Sequence, residues 1–159
     1  MMGSNYYFET EQLLPISMDE AWTFFSTASN LATITPPELD FRILTDLNGA
    51  PEIYEGMLIN YKVKPLLGIP VKWQTQITKV NKPFSFTDKQ LTGPYRSWIH
   101  SHYFIEKKNG VLMKDEVIYR LPFGVFGMLT HRLLVKKKIE GIFEYRRRVI
   151  EKLFSSTTV

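Results

Sequence analysis

The sequence predicts an α+β fold in which a long C-terminal helix lies across an antiparallel sheet of about seven strands. Three observations support this prediction. A capped helical segment follows a first strand, a run of strand-like segments with short links fills the middle of the chain, and apolar residues recur at helical spacing near the C-terminus. Strands joined by short turns pair as an antiparallel meander, and only the sheet is broad enough to cover the long helix.

The first third of the chain predicts one strand and two short helices. Residues 6–14 are extended in character, and a proline ends this strand. Ser17 and Glu20 have the spacing of a capping box, in which each side chain accepts a hydrogen bond from a free backbone N–H, so the first helix begins there. A second short helix follows through Leu31 and Ile34, and we expect Ser29-Asn30 to cap it.

The middle of the chain shows no helical period and contains six strand-like segments. Glycine, proline and asparagine separate these segments, and such residues favour turns. Asn109-Gly110 is the strongest turn signal, because both residues accept the positive φ of a two-residue type I′ turn. We therefore predict a hairpin that closes at these two residues. The six strands lie near residues 39–46, 53–63, 70–80, 84–91, 97–107 and 111–121.

The C-terminal segment predicts a helix from about residue 125 to about residue 154. A helix of this length would be roughly 45 Å long, so the sheet is its only adequate partner. Its apolar residues form one stripe that we expect to face the sheet. The stripe contains Phe126, Leu129, Leu133, Ile139, Ile142, Phe143, Val149, Ile150 and Leu153.

Composition excludes several classes of protein. The chain has no cysteine, which excludes disulfides, thiolate zinc sites, iron–sulfur clusters and cysteine nucleophiles. No apolar run approaches the roughly 18 residues that a membrane span needs, and the N-terminus lacks the basic start and apolar stretch of a signal peptide. We therefore expect a cytoplasmic protein without stable membrane insertion, and the sequence predicts no particular oligomeric state.

The formal charge of +4 is concentrated in the C-terminal segment. Two basic runs, at residues 136–138 and 146–148, account for most of it. Three consecutive helical residues fan over about 200° and do not form one patch. We interpret both runs as a solvated helix face and expect no nucleic-acid partner, with a protein partner of the basic helix as the alternative.

Three sequence motifs, together with the element order, are similar to those of a known superfamily. They are Asn30-Leu31 with Ile34-Thr35-Pro36, the segment Gly93-Pro94-Tyr95-Arg96-Ser97-Trp98 with His100 and His102, and Asp115 through Tyr119 to Leu121-Pro122-Phe123-Gly124. The chain thus resembles a bacterial branch of uncharacterised proteins in the SRPBCC superfamily of START, polyketide cyclase and birch-pollen-allergen proteins. The resemblance implies one helix-grip domain over residues 1–159, with a curved sheet that wraps around the long helix and an apolar cavity between them. Because the superfamily contains carriers, receptors and cyclases, the resemblance implies no particular substrate.

The predicted hairpin places a mixed set of side chains on one face of the sheet. If residues 109 and 110 form the turn, Lys108 faces Val111, and the numbers of facing residues sum to 219. Alternation along the two strands then separates an inner face from a charged, solvent-exposed face. The inner residues of the hairpin, together with one tryptophan from the segment 70–80, form the predicted ligand-binding set: Trp73, Trp98, His100, His102, Phe104, Met113, Asp115, Val117 and Tyr119.

Polar groups on an inner face need partners, because an unpaired buried charge is very costly. With the sum of 219, His102 lies diagonal to Asp115 and His100 lies opposite Tyr119, so these four residues can satisfy one another as a structural network. Alternatively, the polar groups orient a molecule that is bound in a cavity lined by Trp98, Phe104 and Tyr119. The sequence is compatible with both interpretations.

Two chemical alternatives use the same residues. His100 and His102 have the spacing of two metal ligands on one strand face, with Asp115 as a third ligand. His102 and Asp115 could also form an acid–base pair, but no nucleophile or oxyanion motif accompanies them, and we assign no catalytic residue. The resemblance implies no metal, and we expect neither a metal nor a cofactor.

Two further segments adjoin the predicted cavity. The loop over residues 64–70 contains the apolar residues Leu66, Leu67 and Ile69, which we expect to pack inward rather than to gate the cavity. The strand near residues 84–91 has alternate residues that we expect to face inward: Phe84, Phe86, Asp88 and Gln90.

The main hypothesis for function is a non-enzymatic protein that binds or transports a small hydrophobic or amphipathic molecule, such as a lipid or an aromatic metabolite. The alternative is an enzyme of polyketide cyclase or dehydratase type, in which His100, His102, Asp115 and Tyr119 move protons on an enclosed substrate. A third hypothesis is a protein-interaction module whose basic helix binds a partner in a salt-sensitive manner.

Overall fold

The computed structural model describes residues 5–48, 52–122, 129 and 134–155. Seven strands, three helices and one 3₁₀ turn occur within these ranges, in the predicted order. They are β1 (Tyr6–Leu14), α1 (Met18–Phe25), α2 (Asn30–Thr33), the 3₁₀ turn (Pro37–Leu39), β2 (Arg42–Ile43), β3 (Leu58–Val63), β4 (Val71–Asn81), β5 (Ser85–Thr92), β6 (Ser97–Lys107), β7 (Gly110–Arg120) and α3 (Lys136–Ser155).

The seven strands form one antiparallel sheet in the order β1-β7-β6-β5-β4-β3-β2. Strands β2 to β7 are sequential neighbours, and β1 pairs with β7 along its whole length. Helix α3 packs on the inner face of this sheet, where the ring centroid of Phe143 lies 4.7 Å from that of Phe8 on β1. The predicted α+β helix-grip architecture is therefore confirmed.

The start of α1 has the predicted capping box. Ser17 N donates to Glu20 Oε2 at 2.8 Å, and Glu20 N donates to Ser17 Oγ at 3.2 Å. The predicted cap of α2 is wrong, because the side chain of Ser29 makes no capping hydrogen bond. Asn30 acts instead on the preceding helix, where its Nδ2 donates to the carbonyl oxygen of Phe24 near the end of α1.

The β6–β7 hairpin turns one residue earlier than predicted, and the pairing of its strands is therefore shifted by two residues. Lys107 pairs with Gly110, so the numbers of facing residues sum to 217 rather than 219. The turn lies at Lys108 and Asn109, and Gly110 is the first residue of β7, with φ of +136°. A side chain at Gly110 would collide with the backbone carbonyl of Leu14, so the close approach of β1 requires glycine here. Because side chains alternate with a period of two, the shift leaves every residue on its predicted face.

Strands β2 and β3 are shorter than predicted. Strand β2 covers only Arg42–Ile43, because Pro37–Leu39 forms a 3₁₀ turn and Asp40 then has a left-handed conformation with φ of 45°. Strand β3 begins at Leu58, after a turn in which Gly56 has φ of +90°. The sequence predicted longer strands because buried residues in the adjoining loops continue the alternation of apolar and polar residues beyond the paired strand residues.

The C-terminal helix α3 covers Lys136–Ser155 and is about 30 Å long. Residues 123–128 and 130–133, which include the predicted start of the helix and the stripe residues Phe126 and Leu133, lie outside the described residues. Within the described ranges, no helix combines the length and the apolar character that a membrane span requires.

The apolar stripe of α3 contains one residue that the sequence did not indicate. Phe143 and Ile150 are buried, as predicted. Arg146 is buried with them, because it lies three residues after Phe143 and four before Ile150 on the same helix face. Leu129 and Leu153 are 59% and 40% exposed, so their assignment to the stripe is wrong.

The second basic run does not form a solvated face. Arg146 points into the protein, and Arg147 donates to the backbone carbonyl of Glu11 and to Thr10 Oγ1, which ties α3 to β1. Only the side chain of Arg148 points outward, at 68% exposure. The interpretation is wrong for two of the three arginines, because neighbours on a helix point in different directions and the sheet lies beside two of them.

Candidate functional site

A pocket of about 220 Å³ lies between the inner face of the sheet and α3. Its walls are mostly apolar: α1 and α2 contribute Phe25 and Leu31, and α3 contributes Ile142. Alternate residues of β3 and β4, such as Ile59 and Trp73, form the sheet side, because one face of each strand points toward the helix. This composition suits an apolar organic molecule better than a polar one.

Four aromatic side chains form one wall of the pocket. The ring centroid of Trp73 lies 5.7 Å from that of Tyr61 and 5.6 Å from that of Trp98, and Tyr95 lies 4.7 Å from Trp98. Within the described part of the chain, the indole Nε1 of Trp73 is buried without a hydrogen-bond partner. A buried donor without a partner costs free energy, so a bound molecule with an acceptor group would recover that cost.

Four polar side chains from three adjacent strands also meet at the pocket, and we call them the His/Asp cluster. His100 and His102 lie on β6, Asp88 on β5 and Asp115 on β7. Asp88 pairs with His100 across β5 and β6, and Asp115 pairs with His102 across β6 and β7. Alternation places all four on the inner face, so a carboxylate flanks the two histidines on either side.

Each carboxylate of the His/Asp cluster contacts both imidazole rings. His102 Nε2 donates to Asp88 Oδ2 at 2.9 Å, and His100 Nε2 donates to Asp115 Oδ1 at 2.8 Å. His102 Nδ1 lies 3.0 Å from Asp115 Oδ1, and His100 Nδ1 lies 3.9 Å from Asp88 Oδ2. The centroids of the two imidazole rings are 3.8 Å apart. The rings therefore stack on each other at a tilt of 35°, with one edge of each toward Asp88 and the other edge toward Asp115.

Arg146 extends the His/Asp cluster to α3. Its Nη2 lies 3.7 Å from Asp115 Oδ1, and its guanidinium lies 5.8 Å from the ring centroid of Phe25 and 5.7 Å from that of Phe143. Asp115 is completely buried, and Arg146 is 7% exposed. A buried carboxylate needs an opposite charge nearby, so Arg146 compensates Asp115 from the helix side.

The surroundings shift the pKa values of three residues in the His/Asp cluster. Burial favours the neutral form of Asp115, but the charge of Arg146 and the hydrogen bonds with the histidines outweigh burial and hold the pKa of Asp115 well below its usual value. Burial lowers the pKa of His100, and the charge of His102 lowers it further. Burial also opposes protonation of His102, but its contacts with Asp115 and Asp88 outweigh burial and raise its pKa. His102 therefore accepts a proton more readily than His100 does.

The structure divides the predicted ligand-binding set into two groups. Four of its members line the pocket: Trp73, Trp98, His100 and His102. The other five face the same side of the sheet but lie in the packed core or behind the histidines: Phe104, Met113, Asp115, Val117 and Tyr119. The alternation of the strands identifies inward-facing residues, and the elements that cover each residue decide whether it borders the pocket.

The observed register also changes the predicted polar pairs. His102 lies directly opposite Asp115 rather than diagonal to it. The predicted pair of His100 with Tyr119 is wrong, because His100 faces Val117. Both changes follow from the two-residue shift in strand pairing, which a turn one residue earlier produces. The two histidines thus find carboxylate partners on both sides, and the network does not need the tyrosine.

Two charged residues of the site were missing from the predicted ligand-binding set. Asp88 faces inward, as alternation predicts, but its histidine partners depend on the β5–β6 register, which the sequence does not reveal. The spacing of Arg146 from Phe143 places both residues on one helix face and could have indicated its burial. We interpreted it instead as part of the exposed basic run 146–148. Gln90 also faces inward, where its Nε2 donates to the carbonyl oxygen of Tyr95 and closes the turn between β5 and β6.

Two expectations for the segments beside the pocket are wrong. Phe84 is 55% exposed, because it lies in the turn before β5 and not in the strand. Leu67 and Ile69 are 76% and 59% exposed, so inward packing of the loop holds only for Leu66, which is partly buried against the core cluster that contains Ile139 and Phe143. Positive φ at Leu67, 53°, directs this part of the loop away from the core.

Comparison with known proteins supports the fold and goes no further. No protein-family model matches the sequence, and no curated protein sequence matches it. Norcoclaurine synthase from Thalictrum flavum, in complex with dopamine and hydroxybenzaldehyde, superposes with a TM-score of 0.68 at 13% identity, over 99% of this chain and 90% of that chain. TTHA0849 from Thermus thermophilus gives a TM-score of 0.67 at 16% identity, over 97% of this chain and 100% of that chain.

A third similar structure is the di-domain ARO/CYC StfQ from the steffimycin biosynthetic pathway. It gives a TM-score of 0.65 at 11% identity, over 94% of this chain and 52% of that chain. Together with Ara h 8.0201, which gives a TM-score of 0.59, these structures share one architecture. The chain has the helix-grip fold of these structures, as the order of its elements predicted.

Proposed function

We propose that residues 1–159 act as one ligand-binding domain, and that the pocket holds a small, flat organic molecule with an apolar body and one polar end. The body would lie against Trp73 and Trp98, and the polar end would face Asp88 and the two histidines. Of the two ligand classes that the sequence suggested, lipids and aromatic metabolites, we therefore favour aromatic metabolites.

One observation carries the proposal: an apolar pocket borders buried charged groups that other side chains do not seal off. The side chain of Asp88 retains 16% exposure on the pocket side of the His/Asp cluster. A stable core does not need these charges, because well-packed apolar residues usually replace a buried ion pair without loss of stability. Their position at the pocket wall therefore supports a role in orienting a ligand.

The size of the pocket favours a small ligand over a large one. About 220 Å³ is below the roughly 300–1,000 Å³ that is typical of sites for drug-sized molecules. One or two aromatic rings suit this space better than a sterol or a long acyl chain. A structure with the same fold, norcoclaurine synthase, contains dopamine and hydroxybenzaldehyde, and each of these molecules has one aromatic ring.

The test is a calorimetric titration of the metal-free protein with hydroxybenzaldehyde, dopamine and a long-chain fatty acid. We expect saturable binding of one aromatic probe per chain and no binding of the fatty acid. Thr75→Phe fills the pocket from β4 and should abolish binding, because Thr75 is buried at its wall. Thr78→Phe, the same change at an exposed threonine of β4, should bind like the parent. Binding that survives Thr75→Phe, or the absence of saturable aromatic binding, contradicts the proposal.

A second function, that of an enzyme of cyclase or dehydratase type, is favoured by the position of His102. It lies between two carboxylates and also faces the pocket, so it could exchange a proton with a bound molecule. His102→Ala distinguishes the two functions. A binding protein should lose about tenfold in affinity, the effect of one hydrogen bond, with no conversion of the probe in the parent. An enzyme should convert a bound probe, seen by mass spectrometry, and lose conversion rather than binding in the variant.

A further inference from the structure

The two edges of the histidine pair have different surroundings. His100 Nδ1 and His102 Nε2 are directed to Asp88, which borders the pocket. His100 Nε2 and His102 Nδ1 are directed to Asp115, which is completely buried. The cluster therefore has a front edge at the pocket and a back edge in the core.

The front edge has the donor set of a metal site. Asp88, His100 and His102 each offer one ligand atom, and these atoms all lie within 4.8 Å of one another. Metal–ligand distances of about 2.0–2.2 Å place neighbouring ligand atoms roughly 3.3 Å apart around a divalent transition metal. The distances of 2.9 Å and 3.9 Å from Asp88 Oδ2 to the two histidine nitrogens bracket that value. Two imidazoles and one carboxylate leave further coordination positions open.

The back edge has the arrangement that supports metal-binding histidines. Such histidines usually donate their second nitrogen to a carboxylate, which fixes the ring orientation. Asp115 accepts a hydrogen bond from His100 at 2.8 Å and lies 3.0 Å from the second nitrogen of His102. Arg146 compensates this carboxylate from α3 at 3.7 Å. One buried residue thus orients both rings with their other nitrogens toward the pocket.

We propose that Asp88, His100 and His102 bind one divalent transition metal ion at the wall of the pocket, with Asp115 as the positioning residue. The sequence left open a metal site with Asp115 as the third ligand, although we expected no metal. In the structure Asp115 is completely buried behind both rings, and Asp88 lies at the pocket. With both histidines neutral, the cluster and Arg146 carry one negative charge, so a bound divalent ion leaves one positive charge. The open positions therefore favour an anionic oxygen, such as a carboxylate or a phenolate, on a molecule in the pocket.

The test uses the metal alone, as a calorimetric titration of the EDTA-treated and dialysed protein with zinc chloride at neutral pH. We expect one Zn²⁺ per chain. Asp88→Asn and His102→Ala should weaken binding by more than about 100-fold, and Asp115→Asn should weaken it by roughly 10- to 100-fold, as expected for a supporting carboxylate. His131→Ala removes the third histidine of the sequence and should bind Zn²⁺ like the parent.

A second measurement on the unaltered protein decides the question even if a variant fails to fold. In a ¹⁵N spectrum of the imidazole nitrogens, Zn²⁺ should shift the signals of His100 and His102 and leave His131 unchanged. The proposal is overturned by affinity weaker than about 100 µM, by loss of binding in His131→Ala, or by shifts confined to His131. No organic molecule is present in either experiment, so failure here leaves aromatic binding unaffected.

Discussion

The inner face of the β6–β7 hairpin is packed at one end and open at the other. Near the turn, Phe104 and Val111 are each 1% exposed, and the ring of Phe104 lies 6.2 Å from that of Trp22 on α1. At the far end, Trp98 is only half-buried and lines the pocket opposite α3. The strands and their alternation are the same at both ends. The difference lies in the helix that covers them.

The comparison shows that alternation along a strand determines which residues face inward, whereas the helix packed over them determines whether they line a pocket. Helix α1 contacts β6 and β7, and its Trp22 packs against Phe104 near the turn. The His/Asp cluster lies between the two ends, with the buried Asp115 on the packed side and Asp88 on the open side. Substitutions at the packed end should therefore change stability, and those at the open end should mainly change binding.

The largest effect is expected at the packed end. Phe104→Ala removes a large buried side chain that no ligand could replace, and should lower the free energy of unfolding by about 3–5 kcal/mol. Urea unfolding, followed by circular dichroism, measures this change. A loss below about 1.5 kcal/mol would mean that the packed end is as loosely filled as the open one.

The second-largest loss of stability is expected at the His/Asp cluster, which lies between the packed end and the open end. Arg146→Met keeps much of the side-chain volume but leaves Asp115 buried without its compensating charge, and should cost about 3 kcal/mol. Arg148→Met is the matched control on the same helix, and its exposed side chain predicts a change within about 0.5 kcal/mol. Equal unfolding midpoints for the two variants would contradict the role of Arg146 and restore the interpretation of a solvated face.

Local signals predicted most of the fold, and long-range contacts account for the errors. The capping box at Ser17 and Glu20 is confirmed because it depends on four neighbouring residues only. The turn at Asn109-Gly110 is displaced because Gly110 is required by its approach to Leu14, about a hundred positions away in the chain. No pattern within the hairpin carries that information.

The site was predicted only in part, because local patterns do not reveal its long-range contacts either. Alternation brought His100 and His102 to the pocket and placed Asp115 beside them. Alternation could not distinguish the residues that line the pocket from those in the packed core, since both groups face the same side of the sheet. The partners Asp88 and Arg146 come from a neighbouring strand and a distant helix, so only the assembled structure identifies them.

A smaller effect on stability is expected at the open end. Trp98→Ala removes a ring that borders the pocket, so fewer contacts are lost, and we expect a cost of about 1–2 kcal/mol. The same variant should weaken binding of hydroxybenzaldehyde by tenfold or more in the calorimetric titration, because the ring forms part of the pocket wall. A cost equal to that of Phe104→Ala, with unchanged affinity, would show that Trp98 fills the core.

The smallest effect is expected in the loop over residues 64–70, beside the open end. Leu67 is 76% exposed with φ of 53°, a conformation that asparagine adopts more readily than leucine. Leu67→Asn should therefore change stability by less than about 0.5 kcal/mol and leave affinity for the aromatic probe unaltered. Leu66→Asn, the same change one residue earlier, should cost roughly 1–2 kcal/mol, because Leu66 packs against the core. If Leu67→Asn instead weakens probe binding tenfold, the exposed loop closes over the pocket, and the open end of the sheet is covered whenever a ligand is bound.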